Sequence, residues 1–392
     1  MKESILDELS ENEASEKRKK LILWILTIAI IVLGLGGLLV FSYFYNNQCY
    51  THYQDVSEVE RSDSNNVTYS YFQKNLLKYS GSGISLIDSK GKTLWNGGFE
   101  MKQAQVDTCG EQVIAADIGG TSFHVYNGRD EGAGEETTYP IVRAKVSAQG
   151  VAAVLEQDTD SNNLRVYNPY SNTTKLLAEI PTNVSEEGYP LDFDISPDGK
   201  TIVAAYMTVE DTKSSCKVNF YNFSDVGQDK NILVGGKEYG TEMISQISFL
   251  KDDSVVVFRE KGFDVYSRMK QPEAIFEKSF DKPIMSVATS DDYIAVVTGD
   301  DKMENRYLQV FTPDGGVRLE RAIDYEYSQF YIYGEELFFY GTHHVNILRM
   351  NGRDKFSCDF DSEITGVFPG GKRIEYLIVD LHTIRRIRMR TR

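Results

Sequence analysis

The sequence predicts an all-β domain that folds as an eight-bladed β-propeller and follows a single N-terminal transmembrane helix. Three observations lead to this fold class. One long apolar segment without charge lies near the N-terminus, apolar and polar residues alternate through the rest of the chain, and a strand pattern recurs every 37 to 54 residues. Alternation is typical of β-strands, and repeats of about 40–50 residues with several strands each are typical of propellers.

The first element is the segment from Leu21 to Tyr45, which contains no charged residue. About 20 apolar residues suffice to cross the hydrocarbon core of a bilayer. A cleaved signal peptide is the alternative, but this segment is longer than such a peptide's apolar region and no A-x-A pattern follows it. We therefore expect a signal anchor whose preceding basic residues stay in the cytoplasm. Those residues are Lys17, Arg18, Lys19 and Lys20.

This anchor divides the chain into three parts. Residues 1–20 would form a cytoplasmic tail, residues 21–45 the transmembrane helix, and residues 46–392 an extracytoplasmic propeller. The expected location is the cell membrane, crossed once, with the N-terminus in the cytoplasm. A tail of about 20 residues is too short for a catalytic domain, so we expect the function to lie outside.

One position marks the repeat: an apolar or aromatic residue that precedes a polar turn. It recurs eight times, at Ile87, Tyr126, Tyr167, Tyr221, Tyr266, Phe311, Leu348 and Ile387. Residues 283–323 show how one unit divides into four strands, "IMSVATSDD", "YIAVVTGD", "RYLQVFTP" and "VRLERAI", with Asp, Gly and Pro in the turns. A β-sandwich or two all-β domains are alternatives, but eight evenly spaced units favour a propeller. Seven blades is the nearest variant.

The last unit has only three recognisable strands, and a strand-like piece before the first blade, Val56–Arg61, belongs to no unit. We therefore expect Val56–Arg61 to pair with the C-terminal strand "TIRRIRMRTR" and to close the ring as the outer strand of the last blade. Alternation would place Arg386 and Arg388 on one face of that strand. It would place Glu58 and Glu60 on one face of the other, so that opposite charges set the register.

Two short motifs resemble known propeller repeats. "LIDSKGKTLW" (Leu86–Trp95) resembles the repeat of quinoprotein-type propellers, and "ISPDGKTIVAA" (Ile195–Ala205) resembles the S-P-D-G-K turn of WD40-like bacterial propellers. The whole layout is similar to that of an uncharacterised family of bacterial single-pass membrane-anchored propeller proteins with a domain of unknown function. The resemblance implies the fold and a membrane location, and it implies no activity.

Motifs of known chemistry are absent from the sequence. It contains no C-x-x-C, H-E-x-x-H, G-x-S-x-G or P-loop. "DTDSNN" offers Asp158, Asp160 and Asn162 as candidate metal ligands, but the glycine and glutamate that an EF-hand loop requires are missing, and a polar hairpin loop is the alternative. Two tryptophans, one in the apolar segment, and four non-adjacent cysteines do not fit a quinone-cofactor dehydrogenase. We expect no cofactor and name no catalytic residue.

Composition constrains the partners. A formal net charge of -16 argues against nucleic-acid binding. We expect the bilayer to hold residues 21–45, and the propeller to bind an envelope protein or a cell-wall polymer as a binding or scaffolding module. Two alternatives stay open: a hydrolase or lyase whose carboxylates gather at the central channel, and a one-pass envelope sensor. An enzyme is the less favoured interpretation.

Overall fold

The computed structural model describes residues 2–61, 63, 66–129, 131–158, 161–184, 187–210, 213–224, 232–300 and 305–391. The chain divides into two units, Met1–Cys49 and Tyr50–Arg392. The first unit is one helix, α1 (Lys2–Asn46). Its segment Leu23–Asn46 is long and apolar enough to cross a membrane, by length and composition alone.

Within the described residues the second unit forms 32 strands. They are β1 (His52–Glu60), β2 (Thr68–Phe72), β3 (Asn75–Ser80), β4 (Gly83–Ile87), β5 (Thr93–Gly98), β6 (Ala104–Cys109), β7 (Gln112–Asp117), β8 (Ser122–Tyr126), β9 (Ala133–Glu136), β10 (Ile141–Val146), β11 (Ala152–Gln157), β12 (Ser161–Tyr167), β13 (Leu176–Asn183), β14 (Tyr189–Ile195), β15 (Thr201–Glu210), β16 (Lys213–Asn222), β17 (Leu233–Gly240), β18 (Ile244–Lys251), β19 (Ser254–Arg259), β20 (Gly262–Ser267), β21 (Glu273–Ser279), β22 (Ile284–Thr289), β23 (Ile294–Thr298), β24 (Arg306–Phe311), β25 (Val317–Ile323), β26 (Gln329–Tyr333), β27 (Glu336–Tyr340), β28 (His344–Arg349), β29 (Asp354–Asp359), β30 (Ile364–Pro369), β31 (Glu375–Asp380) and β32 (Thr383–Arg390).

These strands form eight antiparallel sheets of four strands each, which are the blades of the propeller. Blade 1 contains β2–β5, blade 2 β6–β9, blade 3 β10–β13, blade 4 β14–β17, blade 5 β18–β21, blade 6 β22–β25, blade 7 β26–β29, and blade 8 β30–β32 with β1. The prediction of eight blades rather than seven is confirmed. All eight marker positions lie in the third strand of their blade.

The hydrophobic core lies between the blades. Leu308 and Val310 of blade 6, for example, share one cluster with Leu337 and Phe339 of blade 7. Because each middle strand is covered on both faces by neighbouring blades, it consists of a continuous apolar run, as in Val255–Phe258. The first strands of successive blades contact one another, β6 with β10, β10 with β14 and β14 with β18, which places them around the central axis.

Strand β1 closes the ring, because it pairs antiparallel with β32 as the outer strand of blade 8. The strand begins at His52 and ends at Glu60, so it starts four residues earlier than the sequence predicts. Arg61 lies beyond its end, where the backbone N–H donates to the carbonyl of His382 (2.7 Å). The predicted closure is confirmed, with these corrected bounds.

The register of this pair differs from the expected one, because an irregularity between Asp55 and Ser57 shifts it by one residue. The observed partners are Glu58 with Arg385, Glu60 with Thr383, Ser57 with Arg386, and Gln54 with Arg388.

The ion pairs of the terminal arginines join β32 to its other neighbour, β31. Arg388 lies 2.7 Å from Glu375 and Arg385 lies 3.4 Å from Asp380, at the two ends of β31. Among the described residues, neither Glu58 nor Glu60 forms an ion pair with an arginine. Register control by charges across β1 and β32 therefore stays a prediction.

Candidate functional site in the inner strands

The first strands of the blades, which surround the axis, share a local irregularity. In five of them the pairing with the second strand skips one residue at the same place. A bulge of this kind bends the strand and changes the direction of the side chains that follow. The skipped residues are Val142, Leu191, Ser245, Met285 and Thr365.

Directly after the bulge, side chains of adjacent blades bind one another. Arg143 of blade 3 donates a hydrogen bond to Oδ1 of Asp192 of blade 4. Oδ2 of Asp192 in turn accepts the backbone N–H of Ile247 in blade 5, at 2.7 Å. The N–H of Ile247 points away from its own sheet, so the carboxylate satisfies a backbone donor that would otherwise face the channel.

A second row of contacts lies two residues further along the same strands. Nζ of Lys145 lies 3.3 Å from Oδ1 of Asp107 and 3.9 Å from Oδ1 of Asp194. Oδ2 of Asp107 accepts the N–H of Val146 (3.1 Å), and Oδ2 of Asp194 accepts the N–H of Phe249 (2.7 Å). We call both rows together the charged ladder. It consists of Asp107, Arg143, Lys145, Asp192 and Asp194, and it connects blades 2 to 5.

The electrostatics of the ladder are those of partly desolvated opposite charges. Burial raises the pKa of Asp194 to about 6, although Lys145 acts in the opposite direction. Asp107 holds the pKa of Lys145 above its ordinary value. Burial also raises the pKa of the nearby Cys109 thiol to about 11. Because the thiolate is the reactive form of cysteine, Cys109 is a poor nucleophile at neutral pH.

Tyrosines occupy the inner strands on the other side of the ring. The rings of Tyr71 in blade 1 and Tyr333 in blade 7 are 5.2 Å apart, and the rings of Tyr331 and Tyr333 are 6.1 Å apart. The hydroxyl of Tyr331 donates to Gln329 (2.7 Å), and Tyr331 is 39% exposed. Blade 7 is four blades from blade 3 in a ring of eight. The inner strands therefore present a charged side and an aromatic side.

The structure describes two of the three candidate metal ligands, at the hairpin between β11 and β12, and their role as ligands stays a hypothesis. Asp158 follows β11, Asn162 is buried within β12, and Asp160 lies outside the described residues. The two strands pair up to Gln157 and Asn162, so β11 and β12 form a hairpin. Nowhere in the described residues do three His, Cys, Asp or Glu side chains group closely enough to hold a metal ion.

The remaining residues singled out from the sequence lie apart from the ladder. The four basic residues at 17–20 belong to α1, and their side of a membrane stays a prediction. None of the four cysteines, all of which lie within the described residues, forms a disulfide. Cys109, Cys216 and Cys358 lie in three separate blades, blades 2, 4 and 7.

A cavity of about 870 Å³ lies between blades 5 and 6, away from the inner strands. Its two arginines are engaged: Arg306 donates to the carbonyl of Tyr325 (2.6 Å), and Arg321 donates to Asp354 (3.0 Å).

Sequence reasoning missed the charged ladder. A signal was present in the repeats, since "VRAKV" (142–146) and "LDFDI" (191–195) carry opposite charges at equivalent positions of adjacent blades. Only an alignment of the repeats on their inner strands shows this alternation.

The comparisons with known proteins agree with this architecture. A family model described as "Family of unknown function (DUF5711)" matches residues 46–389. The chain belongs to this family. The DUF5711 match therefore covers nearly all of the propeller, from the end of α1 to the end of β32. A search of curated proteins finds no match.

Among solved structures, the chain is similar to BamB from Moraxella catarrhalis, with a TM-score of 0.51 and 11% identity, over 87% of this chain and 99% of that chain. Hydrazine synthase of Kuenenia stuttgartiensis gives 0.48 and 13% over 76% and 99%. The propeller domain of Cps50 (Swd1) from Myceliophteria thermophila gives 0.47 and 8% over 76% and 98%. At such identity the likeness to BamB shows the propeller fold alone.

Proposed function

We propose that this chain is a membrane-tethered propeller located outside the cytoplasm, and that it acts as a binding or scaffolding module of the cell envelope. Tethering is supported by Leu23–Asn46, which has the length and apolar composition of a membrane span. The basic residues at 17–20 would keep the N-terminus in the cytoplasm. Residues 21–45 would then cross the bilayer, and the propeller would bind an envelope protein or a cell-wall polymer.

The observation that carries the binding function is the nature of the accessible groups on the inner strands. Tyr331 is 39% exposed on the aromatic side, and the side chain of Arg143 is 38% exposed on the charged side. An exposed ring offers a flat apolar face, and a fixed guanidinium offers directed hydrogen bonds. An apolar ring next to a few directed polar groups is suited to bind a sugar or a peptide.

The ladder gives this surface rigidity. Asp192 and Asp194 each accept a backbone N–H of the next blade and each lie beside a cation of the preceding one. Together with the closing strand β1, these contacts fix neighbouring blades to one another. A rigid ring with preorganised groups loses little entropy when it binds a partner, which suits a scaffold.

A second function, hydrolysis or elimination at channel carboxylates, has one observation in its favour. The pKa of Asp194 is raised by burial to about 6, as the pKa of a general acid or base often is. The same carboxylate, however, accepts the N–H groups of Ile195 (3.0 Å) and Phe249 (2.7 Å). Its oxygens hold the blades together, so we favour binding over catalysis.

Photocrosslinking tests the proposal. A photoreactive phenylalanine analogue would replace Tyr331 in the full chain, in its native membrane. The matched control carries it at Ile275, which is 47% exposed on the outer strand of blade 5. We expect a specific envelope protein or wall polymer to be captured at position 331 and not at 275. Equal capture at both positions, or capture at neither, would contradict the proposal.

The tether is tested separately by extraction of membranes with alkaline carbonate and by protease treatment of intact cells. We expect the full chain to resist extraction and its propeller to be digested from outside. Release by carbonate would contradict tethering. Deletion of residues 2–16 addresses the sensor alternative, because a scaffold tolerates this deletion and a one-pass sensor loses its output.

A further inference from the structure

Seven basic residues lie together where blades 7 and 8 meet, and we call them the basic cluster. The chain that enters β1 contacts two of them, since the N–H of Tyr50 donates to the carbonyl of Lys355 (2.9 Å) and the N–H of Thr51 donates to the carbonyl of Arg390 (3.2 Å). The cluster consists of Arg349, Arg353, Lys355, Lys372, Arg373, Arg388 and Arg390.

Positive charge exceeds negative charge in this region. The acidic residues that the described contacts place beside the cluster are Glu335, Glu336, Asp354 and Glu375. Two of them are already shared between donors. Glu336 accepts from Lys355 and from the hydroxyl of Tyr376, and Glu375 lies 2.7 Å from Arg388 and 3.6 Å from Lys372. An excess of cations is unusual in a chain of net charge -16.

Burial and repulsion by neighbouring cations both lower the pKa of two members of the cluster. Burial lowers the pKa of Arg349 and of Lys355, and the nearby Arg373 lowers both further, although Glu336 opposes this. An anion that approached the cluster would relieve this repulsion, and a guanidinium group fits a phosphate oxygen pair well.

The charge of the two ends of the propeller also differs. At one end, which we call the hairpin end, loops join the first strand of a blade to the second and the third strand to the fourth. At the other end, which we call the crossover end, loops join the second strand to the third and each blade to the next. The described loops carry 11 basic and 10 acidic residues at the hairpin end, against 4 basic and 12 acidic residues at the crossover end. The basic cluster lies at the hairpin end, where β1 begins. A negatively charged surface would therefore repel the hairpin end less than the acidic crossover end.

The covalent chain brings this region near the proposed span. Tyr50 follows Asn46, the last residue of α1, by four residues. Four extended residues reach about 14 Å at most. If a bilayer holds Leu23–Asn46, Tyr50, whose amide donates to Lys355, therefore lies at most about 14 Å along the chain from the end of the span.

We propose that the exposed members of the basic cluster bind the anionic phospholipid headgroups of the membrane that holds α1. These members are Arg353, Lys372, Arg373 and Arg390, whereas Lys355 is buried beside Glu336. This inference rests on the tether in the proposed function and adds a second contact with the same membrane. Each basic residue near an anionic surface strengthens the attraction roughly fivefold, and salt screens it. The contact would orient the propeller, with its hairpin end toward the lipid and its acidic crossover end toward the envelope.

The test compares the full chain in two kinds of lipid nanodisc, one of phosphatidylcholine alone and one that also contains phosphatidylglycerol. Hydrogen exchange is followed in the segments 349–355 and 370–375. We expect at least about fivefold slower exchange of these segments in the anionic discs, and loss of this protection in concentrated salt. Equal exchange in both discs would overturn the proposal.

Charge reversal supplies the matched control. The double variant Arg353→Glu with Arg373→Glu should lose the protection. The double variant Arg268→Glu with Lys270→Glu, in an exposed hairpin-end turn of blade 5, should keep it. If both variants lose protection equally, the contact belongs to the whole face and the proposed cluster is wrong.

Inorganic phosphate distinguishes the lipid from a soluble anion. It is added to the chain in phosphatidylcholine discs, where no anionic lipid is present. Protection by phosphate alone would show that a soluble anion is the ligand and would refute the lipid contact. Failure of the chain to enter either disc would contradict the tether instead, so the two proposals fail separately.

Discussion

Removal of the Asp192 carboxylate is the sharpest perturbation of the charged ladder. Asp192 is 5% exposed, and it holds Arg143 with one oxygen and the N–H of Ile247 with the other. Substitution to Ala removes both contacts at once. It leaves the Ile247 N–H, which has no partner in its own sheet, facing the channel.

The magnitude follows from the type of bond that is lost. A hydrogen bond to a charged group contributes about 1.5–3 kcal/mol. If the amide of Ile247 exchanges through local opening, its exchange should accelerate about 10- to 150-fold in Asp192→Ala. The 2.7 Å distance and the burial of the carboxylate favour the upper part of this range.

The assay is native-state hydrogen exchange of the full chain, resolved at β18. The companion variant Asp194→Ala should accelerate Phe249 instead, because Asp194 binds that amide at 2.7 Å. Each variant thus serves as the control for the other. Unchanged exchange at Ile247 in Asp192→Ala, or equal acceleration of both amides in both variants, would refute the reasoning.

Three further predictions concern single ion pairs and their titration, each measured by urea unfolding. Burial raises the pKa of Asp194 to about 6 in the folded state, so the free energy of unfolding falls as pH rises from about 4 to 6 and the carboxyl ionises. The stability of Asp194→Asn relative to the wild type should therefore increase by about 2–3 kcal/mol from pH 4 to pH 7, and a constant difference would contradict this. The side chain of Asp63 is 8% exposed, and hydrogen bonds from Tyr69, Lys78 and Arg61 lower its pKa to about 2. Asp63→Asn should therefore lower the free energy of unfolding by about 2 kcal/mol at neutral pH and by progressively less between pH 4 and 2, and an effect independent of pH would contradict this. Arg388→Ala should lower the free energy of unfolding by about 1–2 kcal/mol, because it removes one of the cations that neutralise the buried Glu375. Glu58→Ala should change it by less than about 0.5 kcal/mol, and equal effects of the two variants would show that charges across β1 and β32 contribute to stability.

The fold was predictable because its signals are local. Alternation identifies strands, turns separate them, and a count of eight markers leaves the last blade one strand short. The partner of "TIRRIRMRTR" could then be sought among unassigned segments, which led to β1. Its exact register was not predictable, since the irregularity between Asp55 and Ser57 depends on how β1 packs beside β32.

The ladder was harder to predict because its contacts join distant parts of the chain. Lys145 and Asp107 are 38 residues apart, and Ile247 and Asp192 are 55 apart. Each residue alone reads as an ordinary polar position on a strand. Its meaning depends on the bulge before Arg143 and on the neighbouring blade, and neither is encoded in the local pattern of one strand.

Ring closure by β1 has a consequence for how the chain is made. Gln54 of β1 accepts a hydrogen bond from Arg390 of β32, 336 residues later. At about 5–20 residues per second, synthesis of that interval takes tens of seconds. During this time β1 is outside the ribosome without its partner strand, and an unpaired strand invites association with other chains. Asp55, Glu58 and Glu60 place negative charges along β1, so two waiting copies would repel each other. We expect the acidity of β1 to protect the nascent chain as well as to serve the finished ring.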